Sequence, residues 1–339
     1  MNVSGIYTLA NDAVWDQLVA LLNSVEVNVS PDIPVCIIPY NKDIKKVKEE
    51  IKNRANVSLF DDWDSIERWE NFAHQVWSAH TRAKKSRLSR PRWYKSHLQR
   101  KFVVFDGIFE QFIFYEADNL AMKSVDDIWE KLKDYDFVFD DWEHNKPTPV
   151  AALNIPLIES STSSREADIR PKIHDASFFA SKKGFFNPKE LLEMKEKLIK
   201  NKEVEWVNQY GWWDDVYLFN YMTFRSDRPL YNFTLSQDSK DRTGNCADAD
   251  LFVNIDNVLY NKEGLKPIHR IHYMNYSSAA FTNLCQGEKT NIRYQEEFLY
   301  YRFLKEPEKR PKVFKSPNMP AKINRKWQKL AKKIKITLS

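Results

Sequence analysis

Apolar residues along the N-terminal part of the chain alternate between short unbroken runs and helical spacing. Residues 5–10 (GIYTLA) predict a first strand, and Asn11 and Asp12 can cap a following helix whose apolar face is Val14, Leu18, Leu21, Leu22 and Val25. Residues 35–39 (VCIIP) are apolar throughout, as in a strand covered on both faces. A charged surface helix over 43–54 and a third short strand over 57–60 follow. Repeated strand–helix units predict an α/β fold with a mainly parallel sheet, which binds ligands beyond the carboxyl ends of its strands.

Residues 111–122 (QFIFYEADNLAM) form an apolar run that breaks into two carboxylates, Glu116 and Asp118. Phe112, Ile113, Phe114 and Tyr115 favour a buried strand, and apolar Leu120 and Met122 resume after the acids. Side chains two apart on an extended segment share a face, so both carboxylates can reach one cation while Ala117 turns away. Mg2+ and Mn2+ take oxygen ligands of this kind and keep positions for phosphate oxygens. A solvated acidic turn is the simpler alternative, and the flanking apolar residues speak against it. The first strand's end at 8–12 and Glu116 are expected at one sheet edge.

Residues 61–77 are acidic and Trp-rich, and 82–101 hold nine Lys or Arg and no acid. That basic stretch reads as a solvated loop and helix, or as contacts to an anionic substrate, a lipid surface or nucleic acid. Its end, Arg100 and Lys101, opens the helix leading into the acidic strand, where either can meet a phosphate. Next come a helix over 126–134, a strand over 137–139, a Pro- and Ser-rich loop over 145–170, a strand over 176–181 and an amphipathic helix over 188–200. A helix over 214–224 starts at Asp214 and Asp215, and acids suit a helix N-terminus whatever else they do. His272 lies within a strand over 270–274 and becomes a metal candidate only if the fold brings it to Glu116 and Asp118; His269 shares its face and is the alternative. In 322–338, Ile323, Trp327, Leu330, Ala331, Ile334 and Leu338 line one helical face with Lys and Arg elsewhere, which suits an anionic membrane surface or docking on its own domain. The chain therefore divides into one domain over 1–304 and a basic tail over 305–339.

Length, 339 residues, leaves room for one large α/β domain or two smaller ones. Only 7 residues are Gly, and neither G-x-G-x-x-G nor G-x-x-x-x-G-K-[ST] occurs, so phosphate binding falls to a metal, Lys and Arg. The net charge of +5 is uneven: 305–339 carry twelve basic residues against two Glu, or +10, which leaves −5 for the rest. Cys36, Cys246 and Cys285 are widely spaced with no C-x-x-C, as expected in a reducing cytoplasm. The N-terminus lacks a signal-peptide pattern and no apolar stretch is long enough to span a membrane, so the sequons at Asn2, Asn28, Asn56, Asn232 and Asn275 carry no weight.

With these residues in view, the sequence resembles the GT-A fold glycosyltransferases, most closely family 8, the glycogenin-like and bacterial lipopolysaccharide galactosyltransferase-like enzymes. YTLANDAVWDQLVALLNSV is similar to the family's first strand and helix, and FYEADNLAM stands where the family commonly has YLDADTLV after a Lys-bearing helix. SFFAS, DDVYLFNY and IHYM extend the resemblance over residues 4–280. It implies a Rossmann-like nucleotide-sugar-binding fold and metal-dependent hexosyl transfer, with retained anomeric configuration, from a UDP-linked sugar to an acceptor hydroxyl. Carried over, Asp118 coordinates Mn2+ or Mg2+, Glu116 holds the metal or the donor ribose, and His272 completes the metal site. Lys101 then contacts the diphosphate, Thr8, Ala10, Asn11 and Asp12 line the nucleotide, and Asp214 or Asp215 stands near the reacting sugar carbon.

The implied partners are a nucleotide-sugar donor and a carbohydrate, lipid or protein acceptor, with peripheral contact to the inner face of a membrane through the basic tail and no nucleic acid. Metal and Lys would stabilise the charge that develops on the departing phosphate. Retention needs no placed general base, in keeping with the lack of a Ser/His/Asp or Cys/His constellation. Two departures stand out: Glu116 replaces the family's first Asp, and HYMNYSSAAF lacks the Gly-Lys-Pro-Trp segment that often follows the late His. They motivate the alternative of a catalytically inactive GT-A-fold binding or scaffold protein. Nucleic-acid binding through the basic segments ranks last, because their Lys and Arg are not interleaved with a nucleic-acid motif.

Overall fold

The computed structural model describes residues 3–81, 83, 97–207 and 215–316. In chain order the first half runs β1 (Ser4–Ala10), α1 (Trp15–Asn28), β2 (Val35–Pro39), α2 (Lys45–Lys52), β3 (Val57–Leu59), α3 (Trp63–Ala79), a 3-10 helix (His97–Phe105), β4 (Gln111–Glu116), β5 (Asn119–Ala121), α4 (Asp126–Asp134) and β6 (Phe137–Phe139). The second half runs α5 (Ile155–Ser161), α6 (Glu166–Ile169), β7 (Phe178–Lys182), α7 (Pro188–Lys200), α8 (Asp215–Ser226), β8 (Leu230–Asn232), β9 (Phe252–Ile255), β10 (Val258–Asn261), β11 (Arg270–His272), α9 (Ser278–Cys285) and α10 (Gln295–Arg302).

Seven strands form one sheet in the order β3-β2-β1-β4-β7-β6-β8. The pairings are parallel except at β7, which runs antiparallel to both β4 and β6. The sheet is thus mainly parallel, as the βα repeat predicts. The connection between β6 and β7 is the reason for the reversal. It holds residues 140–177 and stays at the carboxyl edge, so β7 starts where β6 stopped. That connection is not the plain loop expected over 145–170, since it contains α5 and α6. Pro156 is tolerated in the first turn of α5, where its missing N–H would have no helical partner, and Asn154 caps the helix by accepting from the Leu157 amide.

Alternate residues of each strand point to opposite faces. Ile6, Ile37, Ile113 and Phe178 face α1 and α4 through Leu18, Leu21, Leu22, Ile128 and Leu132. On the other face Tyr7, Ile38, Phe114 and Phe179 meet Trp69 and Phe72 of α3 and Leu218 and Phe219 of α8. The acidic, Trp-rich stretch after β3 is helix α3, with Ile66, Trp69, Ala73 and Val76 at helical spacing on its buried face. A third cluster joins the β5–β11 ribbon to α9 and α10 through Leu120, Ile271, Phe281 and Phe298. Residues 305–316 continue along this body: Lys305 pairs with Glu26 at 2.6 Å and Lys315 donates its amide to Gly287 O at 2.8 Å. The amphipathic pattern over 322–338 lies outside the described residues. No helix among the described residues is long and apolar enough to cross a membrane.

His174 couples the core to pH. It is fully buried, its ring stacks 3.7 Å from that of Phe139, and its nitrogens meet the Asp175 carbonyl at 2.8 Å and the Thr223 hydroxyl at 2.7 Å. Burial pushes its pKa down to about 3. An unfolded histidine titrates near about 6.5, so as pH falls the unfolded chain takes up a proton that the folded chain refuses. This contribution to stability is intact above that pH and is lost progressively as pH drops toward 3. We expect about 2 kcal/mol to disappear between pH 7 and pH 5. Urea unfolding of His174→Gln should show a correspondingly flatter pH dependence; an unchanged slope would assign the acid sensitivity to other groups.

Candidate active site

The parallel register of β1 and β4 sets Leu9 opposite Glu116, so the ends of both strands share one sheet edge. Glu116 is the last residue of β4, and Ala117 and Asp118 form a turn into β5. The pair therefore does not sit on a continuous strand. The Asn119 side-chain amide donates to Glu116 O at 2.9 Å and closes the turn. β5 then pairs antiparallel with β11, setting His272 opposite Asn119, and the Tyr273 amide donates to Asp118 O at 3.0 Å. Three distant segments thereby converge. His272 Nε2 lies 3.7 Å from Glu116 Oε2 and 3.5 Å from Asp118 Oδ1, and the three potential ligand atoms lie within 4.8 Å of one another. His269 turns elsewhere, held by Asp140 at 2.8 Å and Asp127 at 3.0 Å.

Lys101 enters this cluster from the interior. Its ammonium is fully buried, meets Glu116 Oε1 at 2.6 Å and Ala176 O at 3.1 Å, and forms an ion pair with Asp215. Burial would favour the neutral amine, but the Asp215 and Glu116 charges overcome it and keep Lys101 ionised. Burial likewise works against the ionised Glu116, yet Lys101 and His272 hold its pKa down at about 2. His272 is nearly buried, which alone would lower its pKa, and Asp118 and Glu116 hold it up at about 10. Asp175, three residues ahead of β7, adds a further carboxylate whose charge acts on His272.

The donor set suits a hard divalent cation: two carboxylates, an imidazole and a buried Asp118 Oδ1 with no hydrogen-bond partner. A cavity of about 340 Å³ opens beside it, lined among others by Ala10, Asn11, Gln17, Tyr40, Asp118 and Tyr276. Of the expected nucleotide residues, Ala10 and Asn11 thus face the cavity. Asp12 Oδ1 instead accepts from the Val47 amide at 3.1 Å and caps α2, while Thr8 is fully buried beneath with an unpartnered hydroxyl. Arg100 is committed to Glu70 at 2.7 Å and the Pro39 carbonyl at 2.8 Å. Asp214 lies outside the described residues. Sequence reasoning missed Tyr40, Tyr276 and Asp175. Tyr40 directly follows the apolar run of β2, and that position at the carboxyl edge was the available signal.

Removing the Lys101 ammonium would leave Glu116 and Asp215 facing each other with no cation between them. Lys101→Met should cost about 3–5 kcal/mol, read as a lower urea midpoint. Adding Asp215→Asn should recover part of that loss. An unchanged midpoint in the single variant would show that the triple is not coupled to folding.

No family profile and no curated protein sequence matches the chain. Among solved structures it is similar to the WbbM bifunctional glycosyltransferase, with a TM-score of 0.51 at 12% identity over 91% of this chain and 52% of that one. The chain thus spans about half the length of that protein. It also resembles the galactosyltransferase LgtC, solved with donor and acceptor sugar analogues, at 11% identity and a TM-score of 0.49, over 86% of this chain and 99% of that one. For mouse xyloside xylosyltransferase 1 the values are 9% and 0.45, over 68% and 85% of the two chains. At such identities the likeness speaks for fold, and the chain has the GT-A glycosyltransferase fold.

Proposed function

We propose that the chain is a metal-dependent glycosyltransferase that moves a sugar from a UDP-linked donor to an acceptor hydroxyl with retained configuration. The convergence of Glu116, Asp118 and His272 beside the cavity of Ala10, Asn11 and Tyr40 carries this reading. Mn2+ or Mg2+ bound by that triad would neutralise the diphosphate and stabilise the charge of the leaving group. Tyr40 offers a ring face for the base, and Asn11 a polar edge beside it. Lys101, expected at the diphosphate, acts here through Glu116 and Asp215, both of which it holds. With Asp215 so engaged, Asp214 is the carboxylate proposed for the reacting carbon. In the transfer the anomeric bond to the diphosphate breaks, the acceptor oxygen forms the new bond, and its proton passes to the departing phosphate oxygen.

The three free thiols support a reducing, cytoplasmic setting, and the basic tail is assigned to peripheral membrane contact. One observation favours a second reading, a binding protein without turnover. Glu116 Oε1 is already taken by Lys101 at 2.6 Å, which leaves fewer oxygens for a cation.

Calorimetry of UDP with and without Mn2+ tests the proposal. Binding should require the metal and should weaken by at least about tenfold in Asp118→Asn, a loss of about 1.4 kcal/mol. Hydrolysis or transfer of a UDP-sugar that vanishes in the same variant would support the enzyme over the binding protein. Metal-dependent binding without turnover would favour the binding protein, and absence of nucleotide binding would sink the glycosyltransferase reading.

A further inference from the structure

A second cavity, of about 690 Å³, lies beyond the ribbon that carries His272, and the donor reading makes no use of it. Trp142, a loop containing Ser239, Arg242 and Gly244, and a turn containing Lys262 and Lys266 form its wall. Lys266 Nζ donates to Ser239 O at 2.5 Å and ties the two chain segments together. The side chains of Arg242 and Lys262 have no ion-pair or hydrogen-bond partner among the described residues. Two acids also line the cavity. Asp250 Oδ2 accepts from the Asn245 and Cys246 amides at 2.9 and 2.8 Å, and Glu263 stands exposed on the turn. Gly244 leaves room for that carboxylate, since a Cβ there would lie 2.7 Å from it.

The cavity is built onto the metal-site ribbon. Asn245 and Ala247, which follow Gly244, bond the backbone of His272 at 2.7 and 3.0 Å, and the Asn245 amide side chain donates to Asp140 O at 2.8 Å, two residues before Trp142. An occupant of the cavity is therefore separated from His272 by one backbone segment. Trp142 is 39% exposed and offers an apolar ring on which the C–H face of a sugar can rest. Uncommitted cations beside it favour a ligand with negative charge.

We propose that this cavity is a sugar-binding subsite separate from the donor cavity, and that it selects a sugar bearing an anionic group, a carboxylate or a phosphate ester, held by Arg242 and Lys262 against Trp142. The anion preference depends only on the cavity's own side chains and stands apart from the glycosyltransferase reading. Calorimetric titration of the full chain with glucose 6-phosphate, glucuronic acid and glucose tests it. Both anionic sugars should bind at least about tenfold tighter than glucose at low salt. That advantage should vanish in Arg242→Gln/Lys262→Gln, whose unfolding midpoint should stay at the wild-type value because both side chains are exposed and unpaired. Trp142→Ala should weaken all three sugars alike. The order of the two anionic sugars identifies whether phosphate or carboxylate is the better fit. Equal affinity for glucose and its 6-phosphate, an advantage that survives the double substitution, or no sugar binding at all would overturn the proposal. Anion-selective sugar binding in a chain that fails to bind UDP with Mn2+ would uphold the subsite and remove the glycosyltransferase reading.

Discussion

The site is organised around one buried ammonium. Lys101 has no solvent exposure, and its contacts tie together four pieces of chain: its own 3-10 helix, the end of β4 at Glu116, the start of α8 at Asp215 and the Ala176 carbonyl ahead of β7. An unpaired charge in that position would be prohibitively costly, whereas two carboxylates in contact recover the cost. The same contacts permit so many acids at one edge. Two unit charges about 4 Å apart interact by about 4 kcal/mol at an effective dielectric near 20, so Glu116 and Asp175 keep their charge at this edge through Lys101 and His272.

The glutamate at 116 makes physical sense in this setting. Its two oxygens are divided, with Oε1 on Lys101 at 2.6 Å and Oε2 facing His272 at 3.7 Å. An aspartate would be one carbon–carbon bond shorter, about 1.5 Å, and would have to give up one partner. The extra methylene therefore joins an internal ion pair to the candidate ligand set with Asp118 and His272. Cation affinity is the quantity it puts at risk, because an oxygen held by an ammonium is a poorer ligand.

What the sequence revealed follows from how local each signal is. Strands β1, β2 and β4 announce themselves through unbroken apolar runs, and the acids after β4 mark where the run meets solvent. The reversal of β7 has no such signature, because it depends on where the residues 140–177 travel; Asp175 was missed for that reason. Asp12 shows a different limit. Its position at a strand end was legible, but the amide of Val47 competes for its carboxylate and wins. Arg242 and Lys262 look like isolated surface charges along the chain, and only the loop–turn contact at Lys266 makes them neighbours across a cavity.

The two cavities are lined by different charges. No Lys or Arg among the described residues lines the smaller one, whereas the carboxylates of Glu116 and Asp118 do. On the proposed reading a diphosphate brought there alone would meet like charge, so donor and metal would bind with positive coupling, each supplying the counter-charge that the other lacks. The larger cavity already holds uncommitted cations and needs no metal to receive an anion. Under the proposed reading, separate sources of positive charge would let the two sites fill independently, and the segment from Asn245 to Ala247 bonds the ribbon of His272 between them.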